Sequence, residues 1–332
     1  MISKRRMAPA ALLAWFLLSS WTVVAQDASK IELNIRKLDA RGIVPEQRHA
    51  AMRELIEAGK AAAPALCGLI ESADRPFVKH TAAATLREIL RHPENRDEAL
   101  LPRLEAMVLS KDPALSAVGP TVAMEYRGSR RARDILKKAA KRQSEERLRA
   151  GLMDALAYNM RDEKSDIPFL AEFLKDRSDF VRIAAAEALG KLGDKSGAKL
   201  CEEILNRKPS NEMVKLLQLR AAAAAYSIRE PELIPALKRI ASSHEHGKAS
   251  SVATRAIEET EFSNIDDKEK KLQYLKDALA RNDTFRWALM RLTLMQGAGS
   301  KKMLEEAANN RNGTIAREAK WLLQFRGVRE KK

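Results

Sequence analysis

The sequence has few aromatic residues and little that is typical of strands, which narrows the fold class. Only 5% of its 332 residues are aromatic, and few stretches alternate β-branched and polar residues as half-buried strands do. Alanine, leucine, lysine, arginine and glutamate dominate instead, and their side chains suit helices because they lose little rotamer freedom there. With 45% apolar residues available for a core, the composition predicts an all-α protein.

The signatures of several common catalytic classes are also missing. The sequence contains no G-x-x-x-x-G-K-[ST] nucleotide-binding loop, no G-x-S-x-G nucleophile elbow and no H-E-x-x-H zinc motif. Its two cysteines, Cys67 and Cys201, have no histidine close to them in sequence, which argues against a cysteine nucleophile. We predict that the protein is not an enzyme and holds no cofactor.

The first 25 residues have the pattern of an export signal. A basic start, MISKRR, precedes the apolar stretch MAPAALLAWFLLSSWTVVA, which ends in small residues at Ala25. The alternative is an uncleaved membrane anchor, because residues 7–25 are nearly long enough to span a bilayer. Pro9 and the Ser19-Ser20 pair weaken such a span. We therefore expect cleavage after Ala25 and an exported protein, periplasmic or secreted, without a stable membrane span.

The chain is strongly basic, with a formal net charge of +15. In a cytoplasmic protein this excess of lysine and arginine would suggest a nucleic-acid partner. In an exported protein it indicates acidic proteins or anionic polymers of the cell envelope as partners. The alternative is a basic surface that is solvated and has no specific partner.

Apolar residues recur with a period of 33 positions. Counting back from Val181 leads to Leu148 and then to Leu115, and counting forward leads to Val214. In most repeats a basic residue follows, as in Val78-Lys79, Leu148-Arg149, Val181-Arg182, Val214-Lys215 and Phe285-Arg286. A period of this length indicates stacked supersecondary units. We expect these basic residues to fix the stacking register by pairing with carboxylates near the repeat starts, such as Asp112, Asp179 and Asp283. The alternative is that they form a row that binds a ligand.

The clearest repeat is DFVRIAAAEALGKLGDKSGAKLCEEIL, residues 179–205. Helical spacing places one set of residues on a common face of a first helix, namely Val181, Ala184, Ala185, Ala188 and Leu189. Gly193-Asp194 ends that helix, and a second helix follows with Leu200, Cys201, Ile204 and Leu205 inward. A pair this short cannot enclose a core, so each pair must pack on the pairs before and after it.

The run D-F-V-R-I-A-A-A-E-A-L-G-K-L-G-D at residues 179–194 resembles the HEAT repeat in its short bacterial form, which phycobilisome lyase subunits share. The resemblance covers most of residues 46–326. It implies a right-handed α-α superhelix, a HEAT-like solenoid of about seven to eight helical pairs whose second helices line the concave side. The predicted organisation is a signal peptide, a capping helix, the repeat solenoid and a basic tail, at residues 1–25, 26–45, 46–328 and 329–332.

The family resemblance implies a scaffold or binding module more than a particular chemistry, because the matching residues are nearly all packing residues. Kinship with phycobilisome lyases implies bilin transfer, but a bilin needs a pigmented cytoplasmic partner and this chain is expected to be exported. The resemblance therefore supports kinship of fold alone.

The two cysteines are expected to remain unpaired. Cys67 and Cys201 fall in second helices four repeats apart, and packed helices lie ~8–10 Å apart, which places them roughly 30–40 Å from each other. A disulfide needs Cα atoms within about 7 Å. Both residues are predicted to be small buried hydrophobic side chains.

The most distinctive surface feature is SRRARDILKKAAKR, residues 129–142. At helical spacing one side is apolar, with Ala132, Ile135, Leu136, Ala139 and Ala140, and basic residues cover the other side. By the resemblance, this second helix presents its polar side to the concave wall, where aligned cations attract acidic partners. The alternative is a solvated helix face. The residues predicted to bind are Arg130, Arg131, Arg133, Lys137, Lys138 and Lys141.

The helix at 129–142 lacks aromatic residues on which bases would stack, which argues against single-stranded nucleic acid as its partner. We therefore predict a non-enzymatic binding or scaffold protein of the cell envelope. It would recognise a protein or an anionic envelope polymer through a basic, concave face.

The alternative function is a metal-dependent enzyme or an enzyme accessory on a HEAT scaffold. Its only support is His244-Glu245-His246, where two histidines and a carboxylate lie close together but no fourth ligand is evident. Deoxyhypusine hydroxylase, a HEAT-repeat enzyme family, holds iron with four His-Glu pairs, and this sequence has one such pair. An exposed loop between repeats is therefore the expected structure there.

Overall fold

The computed structural model describes residues 27–159, 164–243, 248–281, 283–295 and 297–329, with side chains as far as residue 324. This part of the chain contains 18 α-helices and no strand, which confirms the predicted all-α, HEAT-like solenoid. The chain divides into two compact units between Arg161 and Asp162. The predicted signal peptide, residues 1–25, lies outside the described residues.

The helices of the first unit are α1 (27–39), α2 (Pro45–Glu57), α3 (Ala63–Ser72), α4 (Pro76–Leu90), α5 (Leu101–Val108), α6 (Pro113–Ala123), α7 (Arg130–Arg142) and α8 (Glu146–Asn159). Helix α1 lies within the predicted capping segment, buries Leu38, and is joined to α2 by a 3.0 Å hydrogen bond from the Asn34 side chain to Glu54.

The helices of the second unit are α9 (Ile167–Glu172), α10 (Asp179–Lys191), α11 (Ala198–Leu205), α12 (Glu212–Ile228), α13 (Ile234–Ser242), α14 (Lys248–Ser263), α15 (Lys268–Leu279), α16 (Phe285–Leu294), α17 (Ala298–Ala308) and α18 (Gly313–Arg329). In the described ranges, helices α2–α17 form eight consecutive pairs, in line with the predicted seven to eight, and α18 follows the last pair.

Within each unit the helices stack in two layers. In the first unit the even-numbered helices α2, α4, α6 and α8 pack in succession, and α5 packs beside α7. The second unit repeats the arrangement in α10, α12 and α14, in α11 and α13, and in α15 and α17. Each odd-numbered helix from α3 to α7 and from α9 to α17 also packs against the even-numbered helix that follows it. Burial therefore comes from neighbours along the chain, as predicted.

Small residues allow the close approach of α10 and α12. Ala184, Ala185 and Ala188 are buried, as the spacing predicted. A Cβ added at Gly190 would lie 2.9 Å from the backbone nitrogen and side chain of Ile228, so any larger residue would force the two helices apart. Gly193 has a φ of 80° and ends α10 in the left-handed conformation, as expected.

The 33-residue period reappears as polar contacts between neighbouring helices. Lys79 is nearly buried, and its Nζ lies 3.3 Å from the Asp112 carboxylate, 33 residues later. Arg182 pairs with Asp179 as predicted, but the two residues lie three positions apart in α10, so this pair does not join neighbouring helices. The expectation for Asp283 is wrong, because Arg286 pairs at 2.8 Å with Glu318, which lies in the next helix of the same layer.

Candidate binding surface on α7

Helix α7 forms because its sequence supplies both a cap and an apolar face. The Ser129 hydroxyl accepts a 3.3 Å hydrogen bond from the backbone N–H of Ala132 and satisfies one of the free donors at the helix start. The predicted apolar side is confirmed, since all of its members are at most 4% exposed: Ala132, Ile135, Leu136, Ala139 and Ala140.

The structure places five of the six predicted binding residues at least partly in solvent. Arg130, Arg131, Lys138 and Lys141 are exposed, and Lys137 is half-buried. Arg133 is only 5% exposed, so its assignment to the binding face is wrong. Helical spacing explains the error, because Arg133 precedes Leu136 by three residues and Ala140 by seven and therefore lies on the apolar flank. Arg142 is exposed and belongs to the basic face in its place.

The helix dipole disfavours the basic residues at the start of α7. The partial positive charge of a helix N-terminus disfavours cations in the first turn, by about 0.3–1 kcal/mol each at low salt. Arg130 and Arg131 nevertheless occupy that turn, which contains no acidic residue. Among the described residues neither of them forms an ion pair. Local helix stability therefore does not account for these two arginines.

The acidic residues on the neighbouring odd-numbered helices are already engaged. Glu71 of α3 accepts two hydrogen bonds from Arg103 of α5, at 2.8 and 2.6 Å. Glu105 of α5 lies 2.5 Å from Lys138 of α7. Nearer the start of α7, the Ser129 hydroxyl donates to Glu98 over 3.3 Å. These contacts join α3, α5 and α7 side by side and leave the cations of α7 in excess along the seam between α5 and α7.

A cleft of about 500 Å³ opens where this seam ends. It lies between the segment that follows α5 and the segment that joins α7 to α8. Arg142 lines the cleft and also belongs to the basic face, so the cleft adjoins the cationic surface. The other residues that line it include Val108, Leu109, Lys111, Glu145 and Leu148.

Further cations predicted on second helices lie in the second unit. Lys238 and Arg239 of α13 and Lys301 and Lys302 of α17 are exposed. Arg239 is hydrogen-bonded to Asn206, 33 residues earlier, so part of its role is to hold α13 against the end of α11.

The second unit contains a buried ionic cluster that the sequence did not predict. Glu259 of α14 is 1% exposed and accepts hydrogen bonds from Trp287, at 3.2 Å, and from Arg291. It also pairs at 3.0 Å with Arg229, which ends α12 with a φ of 59°. Next to it, burial raises the pKa of Glu258 despite the nearby Arg281. The signal in the sequence was the pair Glu258-Glu259 on a face that continues to Phe262.

Neither cysteine has the environment of a nucleophile. Both thiols are free and fully buried, which confirms the prediction of unpaired cysteines. Burial raises the pKa of Cys67 to about 11 and that of Cys201 to about 12. The described residues contain no group of three or more His, Cys, Asp or Glu side chains that could hold a metal ion. His244 and His246 lie outside the described residues.

Residues 133–216 match the family model for HEAT repeats. This stretch of the chain carries HEAT repeats. The matched stretch begins within α7, ends within α12 and includes residues 179–194, whose sequence resembles the HEAT repeat. No curated protein matches the chain. HEAT repeats commonly form helical scaffolds that bind other proteins. None of the helices in the described ranges combines the length and the apolar character needed to cross a bilayer.

Proposed function

We propose that this protein is a non-catalytic scaffold that binds an acidic segment of another protein on the basic face of α7. The basic face consists of Arg130, Arg131, Lys137, Lys138, Lys141 and Arg142. HEAT repeats supply the general role of a protein-binding scaffold, and the excess of cations on α7 supplies the preference for acid.

The observation that carries the proposal is the position of Arg130 and Arg131. They lie in the first turn of α7, where the helix dipole disfavours positive charge, and that turn contains no acidic residue of its own. A surface that only kept the protein in solution would place such residues equally well in the last turn, where they would stabilise the helix. A site for carboxylates explains the arrangement, because arginine donates paired hydrogen bonds to a carboxylate.

The site of action that we propose is the cell envelope. The support is the export pattern of residues 1–25, which predicts cleavage after Ala25. After export the partner would be an acidic envelope protein, and an anionic envelope polymer is the competing class of partner.

The proposal is tested by the affinity for a fluorescein-labelled octaglutamate peptide, measured by anisotropy in low and physiological salt. Replacing Arg130, Arg131 and Lys141 with glutamate should weaken binding at least tenfold, because three attractive charges become repulsive. The affinity of the unaltered protein should fall steeply with salt, since screening acts over ~8 Å at physiological ionic strength.

The matched control replaces Arg53, Arg255 and Lys320 with glutamate. All three are exposed on even-numbered helices, and the net charge changes by the same amount. This control should bind octaglutamate within about twofold of the unaltered protein. Equal losses in the two triple variants would mean that net charge alone drives binding, and the α7 proposal would be wrong. Tighter binding of alginate than of octaglutamate, compared at equal charge, would identify a polymer as the partner instead.

A further inference from the structure

We infer that the partner's acidic segment carries an apolar side chain, which inserts into the cleft at the end of the α5–α7 seam. The inference rests on the proposed function and names the kind of sequence that the site recognises. It concerns the cleft of about 500 Å³ between the α5–α6 and α7–α8 segments, whose volume lies in the range typical of ligand pockets.

The cleft has an apolar floor. Val108 and Ala139 line it and are nearly buried, and Leu109 and Leu148 are half-buried beside them. An apolar side chain placed on these residues would leave water, and burial of a whole leucine or phenylalanine side chain contributes ~1.5–3 kcal/mol. The cleft therefore suits a side chain of that size better than a further carboxylate.

The rim of the cleft is mainly cationic. Lys111 and Arg142 line it and are exposed, and Glu145 is the one acidic residue among those that line it. Gln143 and Ser144 cannot turn their backbone carbonyls freely toward a ligand, because both accept hydrogen bonds from Arg149, at 3.0 and 2.9 Å. The free charge at the rim thus favours acidic residues on either side of the apolar one.

The contacts along the seam between α5 and α7 indicate where an extended bound segment would lie. The contact of Ser129 with Glu98 lies at the start of α7, and the pair of Lys138 with Glu105 lies two turns further on. Arg142, one turn beyond Lys138, reaches the cleft. An extended acidic segment along this row would contact the cations of α7 and would place its apolar side chain over Leu109 and Leu148.

The test compares octaglutamate with a nine-residue peptide in which a phenylalanine follows the fourth of eight glutamates. The two peptides carry the same side-chain charge. The unaltered full-length protein should bind the phenylalanine peptide about tenfold more tightly. The double variant Leu109→Gln, Leu148→Gln should lose this gain and keep its affinity for octaglutamate. A second variant, Leu148→Trp, fills the cleft without making it polar and should also lose the gain.

The matched control replaces Leu200 and Leu272 with glutamine, since both are half-buried leucines on odd-numbered helices of the second unit. The control should keep the tenfold gain. Equal affinity of the unaltered protein for both peptides would overturn the inference and leave the proposed function standing, provided that binding still depends on α7. Persistence of the gain in both cleft variants would also overturn it. Failure of the protein to bind either peptide would overturn the proposed function, and this inference with it.

Discussion

Glu105 of α5 and Lys138 of α7 are 33 residues apart in the sequence, and their charged atoms are 2.5 Å apart. Their separation equals the period of the apolar repeat, so the pair links equivalent faces of two successive repeats. Both side chains are about one-third to one-half exposed, which limits the contribution of the pair to stability to ~1 kcal/mol at most. Its larger effect is on charge, because it neutralises one cation of the basic face.

Removing the negative charge at Glu105 should therefore strengthen the binding of acidic ligands. We expect Glu105→Gln to tighten octaglutamate binding about two- to threefold at low salt, because Lys138 gains freedom and one repulsive charge disappears. Anisotropy titration measures the change. The variant Glu57→Gln, which removes an exposed acid from α2, serves as the control and should change the affinity little. Weaker binding by Glu105→Gln would show that the pair itself shapes the site.

Stability and binding should change in opposite directions at the start of α7. The double variant Arg130→Gln, Arg131→Gln removes two cations that the helix dipole disfavours, so its free energy of unfolding should rise by a few tenths of a kcal/mol or more. The same change should weaken octaglutamate binding several-fold. Urea denaturation and anisotropy measure the two effects. A loss of stability together with unchanged binding would mean that the two arginines have a structural function.

Lys79 of α4 should contribute to stability and not to binding. Its Nζ donates to the backbone carbonyls of Ile70, at 3.1 Å, and Glu71, at 3.4 Å, and pairs with Asp112. Lys79→Met leaves these acceptors without their donor and should lower the free energy of unfolding by ~1–3 kcal/mol. Lys215→Met alters the equivalent repeat position, where the lysine side chain is 32% exposed and pairs with Glu212 in its own helix.

We expect Lys215→Met to lower the free energy of unfolding by less than ~0.5 kcal/mol, because the Lys215 side chain is more exposed than that of Lys79. Octaglutamate binding should remain unchanged in both lysine variants. Equal stability losses at the two positions would show that burial does not distinguish the repeats.

The two cysteines should not react with thiol reagents in the native protein. Since burial raises the pKa of Cys67 to about 11 and that of Cys201 to about 12, almost no thiolate forms at pH 8. A disulfide reagent such as DTNB should therefore label neither thiol within minutes, and both should react after unfolding in guanidinium. Rapid labelling of one thiol under native conditions would contradict the burial of that residue.

The repeat was predictable from the sequence because it depends on side-chain size at regular spacing. Val181, Ala184 and Leu189 follow the period of a helix, and Gly193 marks a turn, so the fold class needed no information on distant contacts. The chain position at which the two compact units divide had no such signal. Individual ion pairs were less predictable, as the pairing of Arg286 with Glu318 instead of Asp283 shows.

The candidate site was predictable in its location but not in its details. The cluster of basic residues at 129–142 identified α7. Residue type alone then assigned Arg133 to the basic face, although its side chain is buried. The cleft beside Arg142 could not be predicted, because it forms between two segments that are separated by about one repeat. The buried Glu259 was missed for a similar reason, since its partners Arg229 and Arg291 come from two other regions of the sequence.

The most direct test of the binding site is photo-crosslinking of the full-length protein to an octaglutamate peptide that carries a benzophenone group, followed by mass spectrometry. We expect crosslinks on α7 and on the two segments that line the cleft, at residues 108–112 and 143–148. These crosslinks should disappear when Arg130, Arg131 and Lys141 are replaced with glutamate. Crosslinks spread over all basic surfaces, or concentrated on the even-numbered helices, would contradict binding at α7.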